Sequence, residues 1–408
     1  MLCFKTRNWG PAILDSVDHV ILRGCSMRSM LTKLGLLATI MFSFVDGIAT
    51  GQQTKGQTAP FYIGTYTGGE SQGIYRSELD LLTGQLRKPE LVAELKNPSF
   101  IAIHRNQTEL FAVSEVSAAE AGQQVFAYRI LPSGQLNLIN SQPAGGDGPC
   151  YITTDATGRY AFVANYGSGS VTSYAIKADG SLSEPVSNVQ HIGSSIDLRR
   201  QMSPHAHCIL TDPSNQYVCV ADLGLDQVLV YNLGDEGQLT LNSTNIQLMK
   251  GSGPRHLAFH PDGKHAVVIH ELTSQLSSLS WDSETGKFER LAVVSTLPKD
   301  YTDSNSTAEV LIHPNGKFVF GSNRGHNSIA SYAFDSTNGA LQLVGHQSTG
   351  GKTPRNFRLD PSGQFLLAEN QNSDDIHVFR VDDKTGELAE TGKSIKVGSP
   401  CCIRFLHQ

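Results

Sequence analysis

The sequence predicts an all-β fold, a seven-bladed β-propeller in which strands from the two chain ends close one blade. Three observations carry that reading. A phrase of about fifty residues recurs along the chain, each copy holds its own turn signal, and the two ends supply complementary halves of one further copy.

The phrase runs proline, apolar strand, an Asp/His-Pro-x-Gly turn or a variant of it, a second apolar strand, a polar residue, a loop, and a strand ending in Tyr or Phe. Copies include "GPCYITTDATGRYAFVANYGSGSVTSYAI", "GPRHLAFHPDGKHAVVIHELTSQLSSLSW" and "TPRNFRLDPSGQFLLAENQNSDDIHVFRV". Its opening position falls at Pro98, Pro149, Pro204, Pro254, Ala308, Pro354 and Pro400, 46 to 55 residues apart. That period, with about four short strands per copy, fits a propeller blade rather than a helical repeat. A lone blade cannot bury both faces of its twisted sheet, so blades stack around a channel.

The turn proline presets φ and the glycine accepts positive φ, so His260, His265 and His313 read as turn or surface residues rather than catalytic ones. The seventh copy is split between "GSPCCIRF" at 398–405 and "FYIGTYTGGESQGIYRSELD" from Phe61. Joining the halves closes the ring, and one domain is expected over residues 58–408.

Composition agrees. In 408 residues there are 39 glycines, as many tight reversals require, and the formal net charge is −6 with no basic run. That balance excludes the electrostatic footprint of a nucleic-acid binder.

Residues 1–57 differ from the rest. "MRSMLTKLGLLATIMFSFVDGIATGQ" places Arg28 and Lys33 before an apolar stretch from Leu34 to Val45, followed by small residues near Ala49. This is signal-peptide patterning, with cleavage expected after Ala49, export to a periplasm or the medium, and Met27 or Met30 as the natural start. An uncleaved anchor is the competing reading, and the stretch is short for a span; no membrane span is expected once the leader is removed. Of seven cysteines, Cys3 and Cys25 fall in this leader. Cys150, Cys208, Cys219, Cys401 and Cys402 form neither a disulfide framework nor a CxxC metal site.

In a propeller the innermost strand of every blade starts at the same face, so repeated positions form rings. The residues after the opening position are Ser99, Cys150, His205, Arg255, Glu309, Arg355 and Cys401. A second ring is expected from Glu115, Asn165, Asp222, Glu271, Asn323 and Asn370, followed in two blades by Tyr166 and Arg324. Blade-specific His, Arg and carboxylates at otherwise repeated positions point to a site, although arginine–carboxylate pairs that merely satisfy a polar channel would look alike. His207 lies two residues beyond His205 and so shares its face, either as a companion in the site or as a packed core histidine. An H-x-H pair without a third ligand motif gives no metal site. No GxSxG elbow and no glycine-rich phosphate loop occur, and no cofactor is expected.

Together "FYIGTYTGG", "SPHAH", "GPRH", "HE" and "SNRG" resemble, in order and from about Pro60 to Phe405, the seven-bladed lactonase family. That family holds bacterial 6-phosphogluconolactonases and the fungal carboxy-cis,cis-muconate lactonizing enzyme. The resemblance implies a lactone-handling pocket at one channel mouth, with His207 or His205, Arg255 and Glu271 in the catalytic positions and Arg324 binding an anion. Arg355, Glu309, Asn323 and Tyr166 are expected to complete the substrate contacts. The chain departs from the pattern at Ala308, where the proline is missing. The resulting expectation is a monomeric hydrolase of a small anionic sugar lactone. A muconate-type cyclase acting on a carboxylate and a non-catalytic binding propeller are the alternatives.

Overall fold

The computed structural model describes residues 58–406 apart from Ala121. The signal-like segment, its cleavage after Ala49 and the export expectation lie outside these residues. Seven antiparallel sheets follow one another, and we number the blades in chain order from the closed one. In blade 1, Pro400–Phe405 is innermost, followed by Thr58–Thr65, Gly73–Asp80 and Glu90–Glu94. The chain ends are joined there in register, with Phe61 opposite Phe405, Ile63 opposite Ile403 and Gly64 opposite Cys402. The expected closure is thus a ladder of backbone hydrogen bonds. The innermost strands of blades 2 to 7 are Ile101–Ile103, Pro149–Thr154, Ala206–Thr211, Pro254–Phe259, Ser306–Ile312 and Pro354–Leu359. Each innermost strand touches those of both neighbouring blades, so the ring is complete. Blade 4 departs slightly, its outer edge being split between Leu239–Leu241 and Ile246–Gln247.

The second strands explain the apolar runs. YAFVAN at Tyr160–Asn165, YVCVAD at Tyr217–Asp222 and FLLAEN at Phe365–Asn370 are buried at every position. Both faces of these strands are covered by neighbouring blades, so alternation disappears, as it does in any sheet buried on two sides. Outermost strands such as Lys287–Ser295 face solvent and alternate again. Among the described residues helix is limited to one short 3-10 turn, Ala118–Glu120, and no helix is long and apolar enough to cross a membrane.

The turn histidines act as latches between blades. His104 Nε2 donates to Gly158 O at 2.8 Å, His260 Nε2 to Gly316 O at 2.7 Å, and His313 Nε2 to Gly363 O at 3.0 Å. Each accepting glycine is at positive φ, 75°, 74° and 74°, and a Cβ there would lie 2.3 to 2.8 Å from the imidazole nitrogen. Two constraints therefore coincide on one glycine: the hairpin needs left-handed backbone, and the latch needs close approach. The five described cysteines are free and buried. Cys401 and Cys402, unexplained by sequence, divide their roles: Cys401 Sγ faces Gly64 O and Ser99 O in the channel, while Cys402 packs in the apolar core.

Candidate functional site

The site begins with a register break. In blades 3, 4, 5 and 7, and in closing blade 1, the ladder between innermost and second strands slips at one place, leaving Cys150, His207, Arg255, Arg355 and Cys401 as the extra residues. A bulge of this kind re-aims a side chain. It turns these five toward the channel, where all of them line one cleft with Tyr66, Ser99 and Glu115.

This register corrects the expected ring in two blades. In blade 4 Ala206, not Pro204, pairs with the strand end at Asp222, so His207 rather than His205 is the equivalent of Arg255. In blade 6 Thr307 takes the opening position opposite Asn323, and Glu309 sits one layer deeper. The expected second ring mixes two layers as well. Asn165, Asn323 and Asn370 close their strands and are fully buried, each donating its amide to the preceding blade connection, at Ala144 O, Thr296 O and Thr349 O. Asn323 therefore holds the loop and does not reach the cleft. Glu271, one residue past the strand end at His270, shares the layer of Tyr66, Tyr166 and Arg324.

Glu271 organises the mouth. Its carboxylate accepts from Arg255 Nε at 3.0 Å and Arg200 Nη2 at 2.6 Å, with Arg324 Nη2 at 2.9 Å. Burial alone would raise its pKa, but Arg324, Arg255 and Arg200 outweigh burial and hold it at about 2. Arg324 is further tied to Thr307 O at 2.7 Å, and burial brings its pKa down to about 9 despite Glu271. Sequence reading missed Arg200. It lies in the long connection between blades 3 and 4, pinned where Gln201 Nε2 donates to Asp226 at 2.7 Å, and it also donates to Tyr166 Oη at 3.1 Å.

The network continues inward. Arg255 Nη1 donates to Ala308 O at 2.8 Å and to His256 Nε2 at 3.1 Å. His256 must then carry its proton on Nδ1, which donates to Glu309 at 2.8 Å, and the other Glu309 oxygen accepts from Asn356 at 2.6 Å. Glu309 is thus a partner of His256, not a free substrate contact. His256 was legible only as the last letter of "GPRH".

Two groups remain uncommitted. His207 is buried and packs edge-on against Tyr166 and His256, with ring centroids 5.3 and 5.2 Å apart. Its Nδ1 lies 3.8 Å from Cys150 Sγ, which is also 3.7 Å from Ala206 O and His207 O. With the thiol proton on a carbonyl, sulfur accepts Nδ1–H and leaves a lone pair on Nε2. That nitrogen has no protein partner among the described residues. Burial first, then Arg255, His256 and Arg355, push the His207 pKa well below the usual histidine value, so the ring is neutral at pH 7. The second group, Arg355, stacks over Tyr66 at 5.1 Å and makes no hydrogen bond or ion pair among the described residues. The cleft they line has a volume of about 10 Å³, room for about one water.

His205, expected beside His207, stands at the rim instead. It stacks on Tyr166 at 4.6 Å, and its Nδ1 meets Tyr166 O at 2.8 Å. Both histidines touch the same tyrosine, but only His207 faces the cleft. A cluster of metal-ligating types occurs elsewhere among the described residues, at His260, Asp262 and His265, with donor atoms within 4.8 Å. There His260 Nε2 is spent on the latch and Nδ1 accepts Asp262 N–H at 3.1 Å, so the cluster is a turn network.

The buried histidines make stability pH-dependent. Burial lowers the pKa of His256, despite Glu309, and of His270 to about 4, and lowers that of His207 as well. The unfolded chain takes up protons at these rings from pH ~6.5 downward while the folded chain resists. Stability is therefore complete above about pH 6.5 and is lost as pH falls toward 4, by on the order of 3 kcal/mol each for His256 and His270 at the lower end. Thermal melts at constant ionic strength should show Tm falling steadily below about pH 6.5; a Tm that holds level down to about pH 5 would contradict this.

The family described as Lactonase, 7-bladed beta-propeller matches residues 60–405. A Bacillus subtilis protein named 6-phosphogluconolactonase is 38% identical over 348 residues, spanning 85% of this chain and 98% of that protein. A Formosa agariphila protein of the same name is 34% identical over 351 residues, 84% of this chain and 98% of that one. Among solved structures, the Pseudomonas aeruginosa periplasmic gluconolactonase is 34% identical with a TM-score of 0.82, covering 86% of this chain and 99% of its own.

Proposed function

The chain belongs to the seven-bladed β-propeller lactonase family, and from that premise we propose that it hydrolyses a sugar lactone of the gluconolactone type at the His207–Arg355 cleft. The observation that carries the site assignment is the pairing of a neutral imidazole, its Nε2 free, with an unpaired guanidinium above space for one water.

The chemistry follows from those positions. His207 Nε2 takes a proton from the water as its oxygen bonds to the lactone carbonyl carbon. The carbonyl π electrons move to oxygen, and the oxyanion is stabilised by guanidinium N–H groups of Arg255 and Arg355. Collapse re-forms the carbonyl and breaks the ring C–O bond, and the His207 proton passes to the departing ring oxygen. The product is the open hydroxy acid, and the imidazole is neutral again. Glu271 acts by fixing Arg255, and Tyr166 by buttressing His207. Arg324, tied to Glu271 and Thr307, is a weaker candidate for the anion than sequence alone suggested. Arg355, being unpaired, takes that role.

Initial rates of the full chain on 6-phosphogluconolactone and on unphosphorylated gluconolactone, with spontaneous hydrolysis subtracted, test this reading. Turnover of at least one is expected. Arg355→Met should lower kcat/KM roughly 10- to 100-fold, the worth of hydrogen bonds to a charged group. A loss confined to the phosphorylated substrate would assign Arg355 to its phosphate, and a loss on both would assign it to the oxyanion. No turnover of either lactone would overturn the reading.

A further inference from the structure

We propose that the opposite end of the channel is a second binding site, for a compact oxyanion of the phosphate or carboxylate class, held by Arg358 and Arg404. It lies where the innermost strands finish, at Ile103, Thr154, Ile312, Leu359 and Phe405. From Cys150 to Thr154 is four residues, about 13 Å along the strand, so this site is separate from the His207 cleft and independent of the lactone reading.

The cavity there measures about 390 Å³, within the range of small-molecule sites. Two guanidinium groups from adjacent innermost strands line it. Arg404 lies over the Phe100 ring at 4.5 Å and spends Nη1 on Ile403 O at 2.7 Å. Arg358 makes no hydrogen bond or ion pair among the described residues. Burial, and after it the charge of Arg404, lowers the Arg358 pKa to about 10, a group still cationic at pH 7.

The neighbouring acids form no ion pair with them, although Glu309 favours both charges from nearby. Glu309 is committed to His256, Val310 N and Asn356. No side-chain hydrogen bond ties Glu369 to either arginine, and burial pushes its pKa up against the pull of Arg404 and Arg358. Asp360, buried in the cavity wall, directs its carboxylate into its own turn, accepting from Phe365 N at 2.7 Å and from Ser362 N at 2.9 Å. Two cations thus face a polar cavity with threonines Thr153 and Thr154 on its wall, and neither guanidinium is ion-paired to a carboxylate among the described residues. A phosphate or carboxylate placed between them would relieve their repulsion and satisfy their free N–H groups.

Calorimetric titration of the full chain with inorganic phosphate, and separately with citrate, tests the site in an Arg355→Gln background that silences the other mouth. Saturable binding of at least one anion is expected, weakened tenfold or more by adding Arg358→Gln and partly restored by Arg358→Lys. Preference for phosphate or citrate would tell the two sources of the oxyanion apart. Binding indifferent to Arg358→Gln, or no binding of either anion at millimolar concentration, would overturn the proposal. Crystals soaked in phosphate give a reading that does not depend on the variant folding. Density between Arg358 and Arg404 is expected, and density only beside His207 would overturn it.

Discussion

Replacing His207 with Gln should lower kcat for lactone hydrolysis by roughly 10²- to 10⁴-fold, the usual worth of a positioned general base, while KM moves little. Gln is close to the imidazole in reach and keeps a polar group in the cleft, so the fold should persist, as circular dichroism would verify. The neutral state of His207 sharpens the expectation. Its pKa is held down by burial and by the neighbouring Arg255, His256 and Arg355, so the acid limb of the pH–rate profile should lie below the ordinary histidine value of about 6.5. His205→Gln, at the rim, should cost far less, acting only through the position of Tyr166. Equal losses in the two variants would remove the distinction between base and buttress.

The second large effect concerns stability. Glu271→Leu should destabilise the protein by about 3–5 kcal/mol, because it strands the buried Arg255 and leaves Arg324 and Arg200 facing one another without an anion. The penalty is greater than for an exposed ion pair, since Glu271 and Arg255 are 5% and 2% exposed and water cannot take over. Urea unfolding checks it, read as a shift in midpoint at unchanged slope. A change below about 1 kcal/mol would mean that the arginines are satisfied without Glu271.

The parts of this fold that were legible in the sequence are those that local chemistry imposes. Proline, glycine and polar side chains mark every hairpin, and the two end segments read as halves of one blade because each lacks what the other has. Where sequence reading failed, the proline marker was responsible, because blade 4 carries its proline two residues before the first paired residue and blade 6 carries none. Counting from Pro204 puts His205 in the ring, and counting from Ala308 puts Glu309 there. The actual register starts from Ala206 opposite Asp222 and from Thr307 opposite Asn323. Strict alternation also hides His256, since neighbouring residues in a regular strand point to opposite faces, yet both Arg255 and His256 line the channel. Arg200 was invisible for another reason: it arrives from a connection 71 residues away from Glu271, and no local pattern encodes that meeting. Asn323 illustrates the reverse error, a polar residue at a repeated position whose task is to close the strand onto Thr296.

The measurement that bears most directly on the site is a crystal structure of the full chain with a non-hydrolysable lactam analogue of gluconolactone. The analogue is expected with its carbonyl carbon facing His207 Nε2 and its carbonyl oxygen within hydrogen-bonding distance of Arg255 or Arg355. An analogue seated instead at the opposite end, among Arg358, Arg404 and Thr154, would contradict the assignment and move the reaction to the other mouth of the channel.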